Sequence, residues 1–262
     1  MRATLLALAV ALAGCAMESP YVPAPITGEG TPLHPPEEAW ARVLKVAVDK
    51  TGRVDFNAVL ANHEDLDRYI AWIYERSPER WPDYYRTRAH VIAYHINAYN
   101  ALAIYNLLTA GVPGELSVLE RKRLFKVRKV LVGGQPMSLD EYHENVVRAL
   151  GEPRLHFAVT RLVAGDPVLA REPYRPATLD QQLDHAARAF LGDQRNLQVD
   201  EKRRRITMSP LMETYRQDFL GRAPSLTAYA AGFVDTPLPA DYEVEFTAFD
   251  WSVYRTGPVA GQ

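Results

Sequence analysis

Long stretches of helical periodicity, two short hairpin patterns and no strand-helix-strand alternation predict an α+β fold. The expected form is a mainly helical single domain with a buried central helix and a small sheet built from hairpins. The central helix is the heaviest observation. Ala89 to Ala110 is apolar nearly all round and ends at Gly111 and Pro113. The first hairpin turns at Gly133-Gly134, and the second spans Leu197 to Met208.

The chain has 262 residues, of which 47% are hydrophobic and 24% charged, with a net charge of −2. That composition excludes wholesale disorder and gives no global attraction to nucleic acid. The chain contains 1 Cys, at position 15, so no intrachain disulfide can form. Before it stand Arg2, the apolar run Leu5 to Leu12, and the small residues Ala13 and Gly14. This is a leader pattern too short to span a bilayer. Leu12-Ala13-Gly14-Cys15 resembles the lipobox of bacterial lipoproteins, which implies cleavage before Cys15 and lipidation of its sulfur. In that resemblance Ala16, in place of Asp, implies the periplasmic face of the outer membrane. The expected organisation is therefore a signal peptide over 1–14, a lipidated proline-rich tether over 15–36, a globular domain over 37–256 and a tail over 257–262. The tether reading rests on Pro20, Pro23, Pro25, Pro32, Pro35 and Pro36 among small and polar residues.

The domain opens with Glu37 and Glu38 in a first helical turn, followed by Trp40, Val43, Leu44 and Ala47 at helical spacing. Gly52 ends that helix, and Val54-Asp55-Phe56 reads as extended. Leu60 to Arg76 reads as one amphipathic helix with Leu66, Tyr69, Ile70 and Ile73 on its apolar face. The central segment is long enough to span a bilayer, but its two histidines and three asparagines argue for a protein core instead. After Arg121-Lys122-Arg123, Phe125 to Val132 has a strand-like pattern, and Gln135 to Leu139 returns from the glycine turn. Further helices are expected at Leu139 to Leu150, Leu179 to Leu191, Pro210 to Phe219 and Ser225 to Phe233. The basic run Lys202-Arg203-Arg204-Arg205 is expected to form a solvated hairpin tip.

Several residues are placed to carry chemistry. Asn97 and Asn100 project from the central helix into apolar surroundings, where an unpaired amide costs about 1–3 kcal/mol. They either tie loops to the core or help to form a polar pocket. Arg154 to Thr160 alternates like a strand, with Arg154, His156, Ala158 and Thr160 on one face. There His156 can act as acid or base near neutral pH. The sequence contains no nucleophile-elbow pattern, Walker loop, dinucleotide fingerprint or metal-ligand spacing, so neither cofactor nor metal is expected.

Three segments carry a family resemblance: Ile96-Asn97-Ala98-Tyr99-Asn100-Ala101, Arg154-Leu155-His156-Phe157-Ala158 and Tyr215-Arg216-Gln217-Asp218-Phe219. With Val54-Asp55-Phe56, Ser138-Leu139-Asp140, the turn from Leu169 to Tyr174 and Phe249-Asp250-Trp251-Ser252, they make the region from Trp40 to Tyr254 resemble the domain of unknown function 547 family. The resemblance implies a cysteine soon after the strand histidine and a glutamate in the helix after Ser-Leu-Asp. Here those positions align with Arg161 and His143, and a second usual cysteine aligns with Asp166. A thiolate mechanism is thereby excluded for this chain.

Three functional readings follow, one of them a structural spacer with no pocket at the asparagine pair, for which Asn97 and Asn100 fully satisfied by backbone would speak. The first is a non-catalytic, lipid-anchored envelope protein that binds a peptide, a cell-wall fragment or another envelope protein, with Asn97, Tyr99, Asn100, Arg154 and Arg161 as binding candidates. The second is a periplasmic hydrolase or acyltransferase with His156 as general base, oriented by Asp218 or His143. A polar nucleophile beside His156 distinguishes the second from the first.

Overall fold

The computed structural model describes residues 36–259, so the expected leader, Cys15 and all of the tether except Pro36 lie outside the described residues. The α+β expectation holds. Helix α1 (Glu37–Ala47) buries Ala39, Trp40, Val43, Leu44 and Ala47. Gly52, with φ +80°, makes the turn that ends this region. Val54 then bridges both Val48 and Arg255, tying the start of the domain to its end. The extended reading of Val54-Asp55-Phe56 needs one correction. The Asp55 carboxylate accepts the Asn57 and Ala58 amides, so Phe56 is already the first residue of helix α2 (Phe56–Ala61). The single helix expected from Leu60 is likewise split at Asn62, beyond which α3 (His63–Glu75) buries Leu66, Tyr69, Ile70, Trp72 and Ile73.

Helix α4 (Arg88–Leu108) is the central helix. Thr87 caps it through the His90 amide, and every residue from Ile92 to Ile104 is buried. No helix among the described residues is long and apolar enough to cross a membrane. The strand expected from Phe125 to Val132 is helical over its first three residues instead. Ser117 and Glu120 form a capping box that starts α5 (Val118–Arg121), and the chain continues in a π-helical turn over Lys122–Val127. That wider turn buries the adjacent Leu124 and Phe125, which strand alternation could not do. Only Val130–Val132 (β1) is strand, paired across Gly133-Gly134 with Gln135–Met137 (β2). Helix α6 (Leu139–Tyr142), capped by Ser138 and Glu141, runs on through a π turn at His143–Val147 and a 3-10 turn at Arg148–Leu150.

The strand expected at Arg154 to Thr160 is a second correction. Glu152 caps the Arg154 amide and Pro153 presets the first φ, so Pro153–Phe157 forms a 3-10 turn. Residues 155–160 are all buried, and the apparent polar face does not exist. Helix α7 (Leu179–Leu191) matches its expected bounds. The second hairpin, β3 (Leu197–Asp200) with β4 (Arg205–Met208), also forms as expected. It gains an unforeseen third strand, β5 (Glu243–Phe246), parallel to β4. The sheet is therefore not built from hairpins alone, because the crossover from β4 to β5 carries three short helices: α8 (Pro210–Thr214), α9 (Arg216–Leu220) and α10 (Leu226–Ala230). The helix expected from Pro210 to Phe219 is interrupted at Tyr215, which leaves helical geometry at φ −106°, ψ 24°.

Two hydrophobic clusters result. The larger packs α1, α3 and α4 with the 124–163 region, and the smaller joins α7, the three-stranded sheet and α8 to α10. The turn at 153–157 lies at their seam, since Leu155 belongs to the first cluster and Phe157 to the second.

Candidate functional site

Asn97 and Asn100 of the central helix act as backbone ties, Asn100 at that seam. The Asn100 amide donates to the Ala158 carbonyl at 2.9 Å, and its oxygen accepts the Thr160 amide at 3.0 Å. This clasps the chain directly after the turn that carries His156. The Asn97 oxygen accepts the Tyr174 amide at 2.9 Å and Nε1 of Trp40 at 3.3 Å, and its Nδ2 donates to the Tyr174 carbonyl at 2.8 Å. Of the two readings of this pair, the geometry is that of the structural tie. Arg154 is similarly committed, to Glu152, Asp180 and Asp184.

The remaining candidates converge. A cavity of about 260 Å³ is lined by Tyr99 from α4, His143, His156, Arg161, Asp166 and Tyr215, with Lys126, Asp140 and Glu144 also on its wall. Arg161, Asp166 and His143 thus share one pocket with His156. Arg161 meets Asp166 in a two-pronged ion pair, Nε to Oδ2 at 2.9 Å and Nη2 to Oδ1 at 2.7 Å. The Asp166 carboxylate also accepts the Arg161 backbone amide at 2.7 Å.

The two histidines are joined by a chain of polar contacts. His156 Nε2 lies 2.8 Å from Asp218 Oδ2. Arg148 donates to both oxygens of Asp218, at 2.7 and 3.1 Å, and to Glu144 at 2.7 Å. Glu144 reaches His143 Nδ1 at 3.1 Å. The Tyr215 ring stacks on His156 with centroids 3.8 Å apart and planes 7° from parallel, and it stands 5.2 Å from His143. The break in helix at Tyr215 lies at the residue that makes this stack.

The charge states follow from these contacts. Burial would raise the Asp218 carboxyl, but the hydrogen bonds from Arg148 and His156 outweigh it and hold the group below its ordinary value. Burial pushes His156 down to about 4, against the opposing pull of Asp218. His143 is lowered too, again by burial, with Glu144 opposing. At neutral pH His156 is therefore neutral and donates its Nε2 proton to Asp218, which leaves Nδ1 as a bare acceptor. That nitrogen is buried and has no hydrogen-bond partner among the described residues. Such an atom calls for an explanation, because a buried acceptor left unpaired is costly.

Tyr99, among the expected binding residues, lines the pocket, whereas Asn100 and Arg154 do not. Lys126, Asp140, Glu144 and Tyr215 line it without having been singled out, and Arg148 links its histidines from behind. Glu144 and Arg148 are four apart, a helical pair legible in the sequence. Tyr215 sits in a motif already quoted, but nothing in the sequence pointed its ring at His156. A larger groove of about 640 Å³ between the 166–174 loop and α7 shares Asp166 with the pocket. None of its lining side chains holds a buried polar atom without a partner among the described residues.

Residues 85–191 match the model of a family described as protein of unknown function, DUF547. The match contains His143, His156, Arg161 and Asp166, while Tyr215 and Asp218 come from beyond it. No curated protein and no solved structure matches the chain.

Proposed function

Taking the family-matched stretch as the frame of this pocket, we propose that the protein is a non-catalytic binding module held in the cell envelope by a lipid on Cys15. Its ligand is a peptide, a cell-wall fragment or a segment of another envelope protein that presents an N–H or O–H group to His156. The observation that carries the reading is the unpartnered Nδ1 of His156, in a pocket whose lining includes no serine, threonine or cysteine. A neutral acceptor with a fixed tautomer selects a donor, and the surrounding Tyr99, Tyr215, Lys126 and Asp140 give further polar contacts to an oriented ligand. The anchor and the placement at the periplasmic face of the outer membrane rest on Met1 to Ala16 alone. The near-neutral net charge supports a partner other than nucleic acid.

The second reading, a hydrolase or acyltransferase with His156 as base, draws on the Asp218–His156 contact at 2.8 Å, which orients an imidazole as a general base requires. Intact-mass analysis after treatment with a serine/threonine-directed electrophile separates the two. The expected result is no adduct on residues 37–262, and a stoichiometric adduct that disappears in His156→Ala would replace the binding reading with the catalytic one. Soluble peptidoglycan fragments should, in contrast, shift the ring-nitrogen resonances of His156 in a titration followed by NMR, with no change in His156→Gln-insensitive sites elsewhere. For the anchor, Cys15→Ser should release the protein from the membrane fraction, and a variant that stays tightly membrane-bound would refute lipidation as the attachment.

A further inference from the structure

The sequence carries two short basic runs, and the fold treats them in opposite ways. At the hairpin tip, Arg203 pairs with Asp200 at 3.0 Å, Arg204 pairs with Asp241, and Arg205 meets Glu243 at 3.3 Å and Glu245 at 3.1 Å. The other run, Arg121-Lys122-Arg123, continues to Lys126, and none of the ion pairs among the described residues engages any of these four cations. Two further cations close the stretch. Lys129 is paired with Glu141, and Arg128 is held by Thr109.

The same stretch carries most of the exposed aliphatic surface. Val118 is 73% exposed, Leu119 75% and Val127 59%, and only Val46 and Val168 join them as exposed large hydrophobics among the described residues. Their exposure is built in. The Ser117–Glu120 capping box fixes α5, and Leu124 and Phe125 pin the opposite side into the core. Val118, Arg121, Lys122 and Lys126 line one wide groove, where Asp140 is the single carboxylate against these three cations, Arg161 on the same wall being already paired with Asp166. Glu120, the acid within the stretch, is committed to the Ser117 amide.

We propose that residues 118–127 form a membrane-docking surface, with Val118, Leu119 and Val127 entering the interfacial layer of an anionic bilayer and the exposed Lys122, Arg123 and Lys126 meeting lipid phosphates, while Arg121 stays over the Trp251 ring at 4.4 Å. Charge complementarity selects an anionic surface. Protruding aliphatic side chains among cations suit a deformable lipid interface. The surface borders the His156 pocket, with which it shares Lys126, and it is separate in sequence from Cys15.

Vesicle sedimentation with residues 16–262 tests this directly, since that chain keeps both cores and lacks the leader and Cys15. The probes are vesicles of phosphatidylcholine alone and of phosphatidylcholine with phosphatidylglycerol. Binding is expected only to the anionic vesicles and should weaken with salt. Each cation near the surface contributes about fivefold, so Lys122→Glu/Arg123→Glu/Lys126→Glu should lose on the order of a hundredfold or more. Val118→Ser/Leu119→Ser should lose roughly tenfold with charge unchanged. Lys202→Glu/Arg203→Glu, at the neutralised tip, should stay within about threefold of the parent. Matching thermal melts would establish that the exposed-site variants fold. No binding to either vesicle, equal binding to both, or a triple variant that binds like the parent would overturn the proposal.

Discussion

Arg161→Ala should lower stability by about 3–5 kcal/mol, because it leaves the Asp166 carboxylate charged, buried and deprived of its side-chain partner. The Asp166 side chain is 5% exposed and Arg161 23%, so solvent cannot replace the lost contacts in full. The retained backbone amide of Arg161 places the effect toward the lower end of that range. For a domain of this size about 3 kcal/mol corresponds to a fall in Tm of roughly 6–12 °C, readable by calorimetry. Replacing both partners with apolar residues, as in Arg161→Met/Asp166→Leu, should recover much of the loss, since no isolated charge remains. A single variant that melts with the parent would mean that the pair is solvated in solution. Arg161→Cys, which returns the residue type that the family resemblance implies, carries the same penalty for the same reason. A thiol at position 161 would therefore avoid a stability cost only if Asp166 changed with it.

The second large effect is a loss of stability on mild acidification. Burial pushes His156 down to about 4, and burial pushes His95 to about 4 as well, with Glu79 opposing. An unfolded chain protonates these rings near pH 6.5, so between about 6.5 and 4 the unfolded state binds more protons than the folded one. Stability is therefore full above pH 6.5 and falls as pH drops toward 4. Each histidine contributes about 3 kcal/mol over that window, a large share of the roughly 5–15 kcal/mol typical of a domain. Urea midpoints measured from pH 7.5 to 4.5 should shift steadily downward. His156→Gln keeps a donor for Asp218 but cannot titrate, so it should flatten the profile by one proton's worth of slope. A parent profile that is level from pH 6.5 to 5 would show that neither ring is buried neutral. The same neutrality keeps Nδ1 of His156 an acceptor at physiological pH, so the stability measurement also bears on how the pocket can bind.

The sequence by itself determined the elements whose periodicity is long. The bounds of α7, the all-round burial of α4, the apolar face of α3 and the β3–β4 hairpin were legible because each depends on side-chain spacing within one segment. Asn97 and Asn100 were legible as buried amides for the same reason. Segment 153–160 was misread because both sides of the chain are buried from 155 to 160, and segment 125–127 because a π-helical turn buries the adjacent Leu124 and Phe125; caps and turn geometry rather than alternation set the backbone in both. Strand β5 was missed although Glu243-Val244-Glu245-Phe246 alternates, since its partner is β4 and the crossover between them spans three helices. The pocket itself was decided only in three dimensions. His143, His156, Arg161 and Asp166 lie within 24 residues, but Tyr99 and Tyr215 come from far along the chain, and Arg148 links the two histidines only by reaching Asp218 seventy residues away. Which basic run is neutralised was likewise invisible in the sequence, because Asp241, Glu243 and Glu245 reach the hairpin tip through the parallel strand, whereas none of the ion pairs among the described residues engages Arg121, Lys122, Arg123 or Lys126. Local spacing encodes which face of a segment is buried; the partner that a charged or polar group meets is set by packing between segments, and that packing decides both the pocket and the exposed cationic surface.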